Sequence, residues 1–343
     1  MLNKIPRDFL LPSAAFTVGR GAVKFWKPMG KRNPKIGDLV FGKVIKVGQH
    51  KSLEHKSGRI HSIHSGTKLV TVFGNRYAPD YYEGIIPKGK VEEIDLLARS
   101  GVIGLVSSKS AKVIDPTRIK IFGYVCNKEG KIINSRSRSL ITPKKIIKKY
   151  PRAKMILVCG TSMNSGKSTA AFAVCRTLKM YGYSIRATKA TGTASLKDIL
   201  GMNDAGAKFF ADFSFFGFPS TYLLPKKDLL YIFNNLDLKY ANNPKNYWVV
   251  EFADGINQRE TVILLESKDV RERIHKFIFC ASDAFSAIGG LKMLKERFNL
   301  KPDAISGICS SSPLHIREIE ESIDIPIFNS ANPKINSLIK LLE

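Results

Sequence analysis

The stretch MILVCGTSMNSGKSTAAFAVCRTL, which begins at Met155, constrains the fold of this chain more than any other feature. It consists of an apolar strand-like run, a loop of small residues and an amphipathic helical window. Further apolar runs follow and alternate with helical windows, namely SIRATKA, YWVVEFAD, KFIFCASD, AISGICSS and IPIFNS. Because strands that alternate with helices form parallel sheets, residues 154–343 are predicted to fold as a doubly wound α/β domain.

The loop between the first strand and the first helix, GTSMNSGKST, carries the motif of a phosphate-binding P-loop. In such a loop, inward-pointing backbone N–H groups cradle phosphate oxygens, and the following helix adds the positive end of its dipole. Lys167 is predicted to reach the β- and γ-phosphates of a nucleotide, and the Ser168 hydroxyl to ligate Mg²⁺. The residues predicted to bind the nucleotide are Gly160, Thr161, Ser162, Met163, Asn164, Ser165, Gly166, Lys167, Ser168 and Thr169.

The loop departs from the usual pattern G-x-x-x-x-G-K-[ST] at its first position. Thr161 stands where the pattern has glycine, and the glycine lies one residue earlier, at Gly160. The second glycine of the pattern, Gly166, is retained and leaves room for a close approach of backbone and phosphate. The sequence therefore predicts a variant P-loop in a typical strand–loop–helix context.

These residues resemble the dethiobiotin-synthetase-like P-loop enzymes, in which a GT dipeptide also precedes four residues and GK[ST]. The second strand ends in TKATGT, and the resemblance implies that Lys189 contacts substrate and phosphate. YWVVEFADG resembles the family's strand ending in V-E-G-x-G-G, which implies that Glu251 is a Mg²⁺ ligand. Phe252 and Asp254 stand where that pattern has glycines, so the loop after Glu251 is predicted to differ from that of the family.

The same resemblance implies a third acidic group between Lys189 and Glu251. Asp204 is preferred by its spacing from Lys189, and Asp212 is the other candidate. The alternative interpretation of each is a helix-capping or surface carboxylate. The predicted catalytic residues are Lys167, Lys189 and Glu251, and the predicted metal ligands are Ser168, Asp204 and Glu251.

Three residues are candidates for substrate binding. The loop and the TG segment after the second strand, with Thr191 and Gly192, also resemble the D-glutamate N-acetyltransferase-like family. That family likewise joins a different N-terminal domain to a P-loop domain. Arg259 follows the Glu251 strand, and its planar guanidinium suits an anionic substrate or a phosphate. A charge on a helix surface is the alternative for Arg259.

Two absences argue against particular groups of P-loop proteins, and the second of them favours ATP over GTP as the nucleotide bound with Mg²⁺. ParA/MinD-type ATPases have a second lysine early in the loop, and Ser162 occupies that place here. GTPases recognise guanine with N-K-x-D, and the nearest tetrapeptide, NKEG at residues 127–130, lies outside the P-loop domain. The predicted ligand is therefore ATP.

The N-terminal half has a different pattern. Residues 1–35 are irregular and basic and are predicted to be an extension. Residues 36–142 contain short β-branched runs separated by Gly, Asn and Asp, which predict a small β-barrel or sandwich. Helix-like spacing occurs there only in VEEIDLLARSG. Residues 143–153 are predicted to be a basic linker to the P-loop domain at 154–343.

The net charge of +26 is uneven along the chain. Residues 1–153 hold 31 Lys and Arg but only 10 Asp and Glu. Such a surface suits an anionic partner such as nucleic acid, but no RNA motif with interleaved aromatic residues supports that partner. The alternative is an ordinary solvated lysine-rich surface.

Cysteine usage and hydropathy indicate the compartment. Five widely spaced cysteines without a C-x-x-C pair predict free thiols in a reducing environment. No run of about 18 apolar residues exists, and the N-terminus lacks a long apolar signal region. A cytoplasmic protein without a membrane span is expected.

Two functions follow as hypotheses. The first is an ATP- and Mg²⁺-dependent enzyme, either a ligase or a group transferase, acting on a small carboxylate or amine. A phosphorylated carboxylate intermediate and a homodimer are implied by resemblance. The second is a regulatory or chaperone-like NTPase that switches on a protein or nucleic-acid partner, for which the basic N-terminal half is the motivation. A third hypothesis is a scaffold protein that binds a nucleotide without hydrolysing it.

Overall fold

The computed structural model describes residues 2–141 and 150–343. These residues form two compact units. The first comprises residues 2–141 together with Gly192–Lys197 and Asp212–Leu223, and the second comprises residues 150–191, Asp198–Ala211 and Leu224–Glu343. Most of the predicted linker at 143–153 lies outside the described residues.

The first unit is mostly β, as the sequence predicted. Its strands are β1 Asn3–Lys4, β2 Phe25–Lys27, β3 Leu39–Lys46, β4 Ser52–Glu54, β5 Ile60–Ser62, β6 Lys68–Phe73, β7 Tyr82–Ile85, β8 Glu93–Leu96, β9 Val102–Lys109 and β10 Thr117–Cys126. Short 3-10 helices span Ser13–Ala15, Arg20–Ala22, Ser135–Arg138 and Phe213–Phe216.

Five of these strands close into a barrel. The pairings run from β10 to β3, β6, β9 and β8 and return to β10, with β6 and β9 parallel and the other pairs antiparallel. Alternate side chains of each strand face the interior, which is filled by Val40, Val44, Phe73, Ile94 and Ile119. The barrel therefore has its own hydrophobic core.

Two details differ from the sequence-based expectations. VEEIDLLARSG forms β8 rather than a helix, because Ile94 and Leu96 enter the barrel core and Ile94 pairs with Ile119 of β10. Residues 2–35 are not a separate extension. β2 pairs with β10, and the backbone of Leu10 bonds to Lys68 and Val70 of β6. The expected boundary at residue 35 is thus absent from the fold.

The second unit contains a six-stranded sheet, eight α-helices and the short 3-10 helix Ile308–Ser311 among the described residues. The strands are β11 Lys154–Gly160, β12 Ser184–Lys189, β13 Phe209–Asp212, β14 Asn246–Glu251, β15 Ile274–Cys280 and β16 Ala304–Ser306. The helices are α1 Lys167–Met180, α2 Leu196–Asp204, α3 Lys226–Tyr240, α4 Arg259–Glu266, α5 Lys268–Arg271, α6 Ala284–Phe298, α7 Pro313–Glu320 and α8 Ile335–Leu342.

The sheet order is β13-β12-β14-β11-β15-β16, with parallel pairing from β12 through β16. Helices cover both faces. Val249 of β14 packs with α1 and α8, whereas the neighbouring Trp248 contacts Phe233 of α3, with ring centroids 5.6 Å apart. The predicted doubly wound α/β fold is therefore confirmed. IPIFNS forms only an isolated bridge, between Ile327 and Ile305.

The described residues include no helix with the length and apolarity needed to cross a membrane. All five cysteines are buried and free, which agrees with the predicted thiols.

A buried ion-pair network fastens α3 to the sheet. The Asp237 carboxylate is 2.7 Å from the Arg152 guanidinium and 2.9 Å from that of Arg273. Arg152 also donates to Asn242, and Arg273 donates to the backbone oxygen of Ala153. Removing one partner from such a network leaves buried charge uncompensated.

Asp237→Ala is therefore expected to lower the free energy of unfolding by about 3–5 kcal/mol. Glu272→Ala removes an exposed ion pair with Lys268 in the same unit and should change stability little. Urea denaturation of both variants measures the difference. Equal denaturation midpoints for the two variants would contradict the structural role of the network.

Candidate functional site

The loop of residues 160–166 lies at the carboxyl end of β11, a central strand between β14 and β15. Gly166 adopts φ +94° and is the N-cap of α1, so the chain turns sharply from strand to helix at this residue. Ligands of open α/β sheets gather at this edge. The sequence-predicted P-loop therefore has the expected position in the fold.

Backbone contacts with neighbouring loops hold this loop in place. Thr161 N–H donates to the carbonyl of Cys280 at 2.9 Å, and Ile256 N–H donates to that of Gly160 at 2.9 Å. Ile308 N–H donates to the Ser165 carbonyl at 3.2 Å. The loop is thus bonded to the last residue of β15 and to the segments that follow β14 and β16.

Packing restricts position 160 to glycine. A Cβ on Gly160 would lie 2.3 Å from Ser165 Oγ and 2.7 Å from the Cys280 carbonyl oxygen. No side chain fits that space. Local crowding therefore accounts for the glycine at 160.

Lys167 directs its ammonium back into the loop. The residue is 6% exposed, and Nζ donates to the Ser162 carbonyl at 2.6 Å and to Ser165 Oγ at 3.4 Å. The N-cap of α1, Gly166, has no side chain with which to bond the first N–H groups of the helix, and these groups have no partner within the helix. An ammonium and uncapped helix amides at one place favour an anion.

Glu251 ends β14 and is 1% exposed. Its Oε1 accepts from Ser168 Oγ at 3.2 Å and lies 3.3 Å from Lys189 Nζ. Its Oε2 is buried and has no hydrogen-bond partner among the described residues. The structure therefore brings together four predicted residues, Lys167, Ser168, Lys189 and Glu251.

Lys189 is also paired with Asp198, in the first turn of α2. Burial acts to lower the pKa of Lys189, but the carboxylates of Asp198, Glu251 and Asp254 outweigh burial and raise the pKa above its usual value. Lys189 is therefore an ammonium at neutral pH. Its positive charge compensates the buried Glu251 carboxylate.

Besides Glu251, the acidic residue that pairs with Lys189 is Asp198, and not Asp204, which the sequence analysis preferred. Asp204 ends α2 and is exposed. Asp212, the other candidate, ends β13 and accepts a hydrogen bond from Ser214 N–H at 2.8 Å. Sequence reasoning missed Asp198, although the spacing Ser195-x-x-Asp198 is typical of a helix N-terminus.

The three predicted substrate residues are held by protein groups. Thr191 Oγ1 donates to the Ala253 carbonyl at 2.6 Å and accepts from Ala253 N–H at 2.8 Å, so it fixes the loop after Glu251. Gly192 is in the first unit, where its N–H donates to Thr221. Arg259 Nη1 contacts the Leu224 carbonyl at 3.0 Å and Glu260 Oε1 at 2.6 Å.

The loop after Glu251 packs directly on the P-loop. A Cβ on Gly255 would lie 2.2 Å from the Thr161 carbonyl oxygen and 3.0 Å from Ser162 Cα. This close approach is possible because the residue is glycine. Of the three glycines that follow the glutamate in the resembled pattern V-E-G-x-G-G, this chain thus retains the last, Gly255, at the position where backbones meet most closely.

The donor set fits Mg²⁺ with phosphates. Among the described residues, no three His, Cys, Asp or Glu side chains cluster as a metal site. Mg²⁺ characteristically takes one or two carboxylates and completes its shell with phosphates and water. The unpartnered Glu251 Oε2 and the Ser168 hydroxyl match that requirement.

No protein-family model and no curated protein matches the chain. Among solved structures, the signal recognition particle receptor FtsY from Elizabethkingia anophelis, in complex with GDP, is 10% identical with a TM-score of 0.38. That match covers 59% of this chain and 64% of the FtsY chain. The present chain therefore spans just under two thirds of the length of this FtsY structure.

Two further structures have similar scores. Chloroplast FtsY from Physcomitrella patens is 9% identical over 59% of this chain and 69% of that chain, with a TM-score of 0.38. A ParA family ATPase from Chlorobium tepidum TLS is 16% identical, with a TM-score of 0.33, and the match covers 51% of this chain and 83% of that chain. The parallel sheet of the second unit and its strand–loop–helix around Lys167 form the α/β fold typical of P-loop NTPases.

Gly255→Ala tests the contact between the two loops. The added methyl group overlaps the P-loop backbone, so we expect a loss of about 1–3 kcal/mol in stability and weaker binding of inorganic tripolyphosphate. Thermal unfolding and titration calorimetry measure the two effects.

Gly289→Ala is the matched control, because a Cβ at Gly289 in α6 meets no atom within 4 Å. A helix gains about 0.5–1 kcal/mol from this change. The close packing of the loops would be refuted if Gly255→Ala behaved like Gly289→Ala.

Proposed function

We propose that the second unit binds a nucleoside triphosphate with Mg²⁺ and promotes transfer or hydrolysis of its terminal phosphoryl group. One observation carries the proposal: Lys167, Ser168, Lys189 and Glu251 converge at the P-loop, and Glu251 keeps a buried oxygen without a partner. An ammonium next to uncapped helix amides suits phosphate, and a free carboxylate oxygen beside them suits a divalent cation.

The protein groups have separable tasks. The loop amides and Lys167 bind phosphate oxygens and withdraw negative charge. Ser168 and Glu251 hold the metal, whose role when bound is to neutralise charge on the phosphates. Lys189 stays protonated, and its positive charge balances the negative charge of the neighbouring carboxylates. Asp198 orients that ammonium through a direct ion pair.

Within this proposal, the favoured reaction is ATP-dependent ligation or group transfer on a small carboxylate or amine. The support is the resemblance of the loop, Lys189 and Glu251 to dethiobiotin-synthetase-like enzymes, and the absence of N-K-x-D favours ATP over GTP. Thr191 acts by positioning the loop after Glu251, because both its hydrogen bonds go to Ala253. The same resemblance implies that the protein forms a homodimer, and we include the homodimer in this proposal.

A second function has its own support. The excess of Lys and Arg in residues 1–153 favours a regulatory NTPase that acts on an anionic partner. The two functions differ in what accelerates nucleotide turnover, which would be a small metabolite in the first and a macromolecule in the second. Phosphate release measured with a metabolite set and, separately, with polyanions decides between them.

Lys167→Ala is expected to weaken binding of ATP by about 10- to 150-fold, the range for a lost hydrogen bond to a charged group. Arg176→Ala removes an exposed charge from the same helix and should leave affinity unchanged. Calorimetric titration of both variants with ATP, and then with GTP, gives the affinity and the base preference. Unaltered nucleotide binding by Lys167→Ala would end the proposal.

Glu251→Gln keeps an oxygen for Ser168 and removes the negative charge that faces the metal. We expect nucleotide binding without Mg²⁺ to persist, and the apparent Mg²⁺ affinity to fall by about 10- to 100-fold or more. Glu266→Gln, at the exposed end of α4, is the control. Phosphate release at graded Mg²⁺ concentrations reports the change, and identical Mg²⁺ curves for both variants would exclude Glu251 as a ligand.

A further inference from the structure

We infer that the outer surface of the β-barrel in the first unit binds single-stranded nucleic acid. The surface, here called the cationic face, consists of Lys43, Lys68 and Lys120 with Trp26 and Phe122. Its residues come from four strands, β2, β3, β6 and β10. Nothing in the proposed nucleotide chemistry of the second unit uses them.

Strand register aligns the three lysines in a row. Lys43 of β3 is the direct partner of Lys68 on one side and of Lys120 on the other. Direct partners in neighbouring strands point to the same side of a sheet, and neighbouring strands lie about 4.8 Å apart. The three positive charges therefore fall within about one Debye length of one another at physiological salt.

The protein only partly neutralises this row. Lys68 pairs with Asp8 at 2.8 Å. Lys43 and Lys120 form no ion pair with any described residue, and Lys120 is exposed. Glu93 of β8 is the register partner of Lys120, but the Glu93 carboxylate forms an ion pair with Arg118. Like charges directly opposite each other destabilise a sheet, so an external anion would be favoured here.

The lysine side chains lie outside the barrel. Val44 and Ile119, which are register partners next to the Lys43–Lys120 pair, are in the barrel core. Because side chains alternate along a strand, Lys43 and Lys120 point outward. Beyond Lys68, the row reaches an open cavity of about 590 Å³ that Arg20 and Asp8 also line.

Aromatic rings adjoin the row. Trp26 and Phe122 are half-buried, and their centroids lie 5.9 Å apart. Both rings contact Phe41, which is 3% exposed and supports them from below. Gly123 allows this arrangement, because a Cβ there would lie 2.9 Å from the Trp26 ring. The result is a supported, partly exposed aromatic surface next to unpaired ammonium groups.

This combination favours single-stranded nucleic acid over other polyanions. Lysines bind the phosphates, and an aromatic ring stacks on an unpaired base. A duplex hides its bases, so it could use only the lysines. An acidic peptide or an anionic membrane would also engage the lysines but would gain nothing specific from stacking on Trp26.

The test is fluorescence anisotropy of the full chain with a labelled mixed-sequence 12-nucleotide RNA, in the absence of nucleoside triphosphate. Three phosphate contacts predict a slope of log affinity against log salt of about −2. Lys43→Ala/Lys120→Ala should make that slope less steep by about 1.4 and weaken binding about 20-fold at 0.1 M salt. Trp26→Ala should weaken binding about 5- to 100-fold with the slope unchanged.

Lys56→Ala/Arg59→Ala removes the same charge from the turn between β4 and β5 and should leave binding unchanged. Circular dichroism checks the fold of each variant, and Trp26→Phe, which retains a ring, should lose less affinity than Trp26→Ala. The proposal is overturned if the RNA does not bind, or if both double variants weaken binding equally. It is also overturned if polyglutamate or phosphatidylserine vesicles bind as tightly as RNA with the same dependence on Trp26.

Because binding is measured without triphosphate, its failure would leave the proposed nucleotide chemistry intact. The Lys167→Ala variant, in turn, should bind the RNA like the unmodified chain.

Discussion

A buried ammonium and a buried carboxylate meet at the carboxyl edge of the parallel sheet, and the candidate site depends on this contact. Lys189 ends β12, Glu251 ends β14, and the two are register partners. Without Lys189, a carboxylate that is 1% exposed would strongly disfavour the fold. Since Lys189 and Ser168 both engage Oε1, the other oxygen, Oε2, has no hydrogen-bond partner among the described residues.

Close backbone packing gives the phosphate-binding loop its shape. Gly160 fits against Ser165, Gly255 fits against Thr161, and a Cβ on Gly166 would lie 2.7 Å from Gly307 Cα. The loops that follow β11, β14 and β16 therefore meet through their backbones. Each of these three glycines is therefore at a position where a side chain would overlap a neighbouring segment.

In the barrel, strand register decides which lysine side chains lie next to one another. Its lysines are separated by tens of residues in the chain, and nothing near them in sequence has the form of an RNA-binding motif. Antiparallel pairing of β3 with β6 and β10 places Lys43 between Lys68 and Lys120, and the pairing of β2 with β10 brings Trp26 and Phe122 together. Strand pairing thereby gathers three of the many positive charges of the first unit into one row of lysines beside aromatic rings.

Contiguous residues determined the parts of this protein that the sequence predicted well. The strand, loop and helix around Lys167 are specified by local periodicity and by backbone geometry within about 25 residues. The β8 segment was misjudged because burial in the barrel overrides its helix-like spacing. The place of Asp198 beside Lys189, the contact of Gly255 with the P-loop and the lysine row were decided only by tertiary structure. Each depends on strand register and on packing between segments far apart in the chain, which no local pattern encodes.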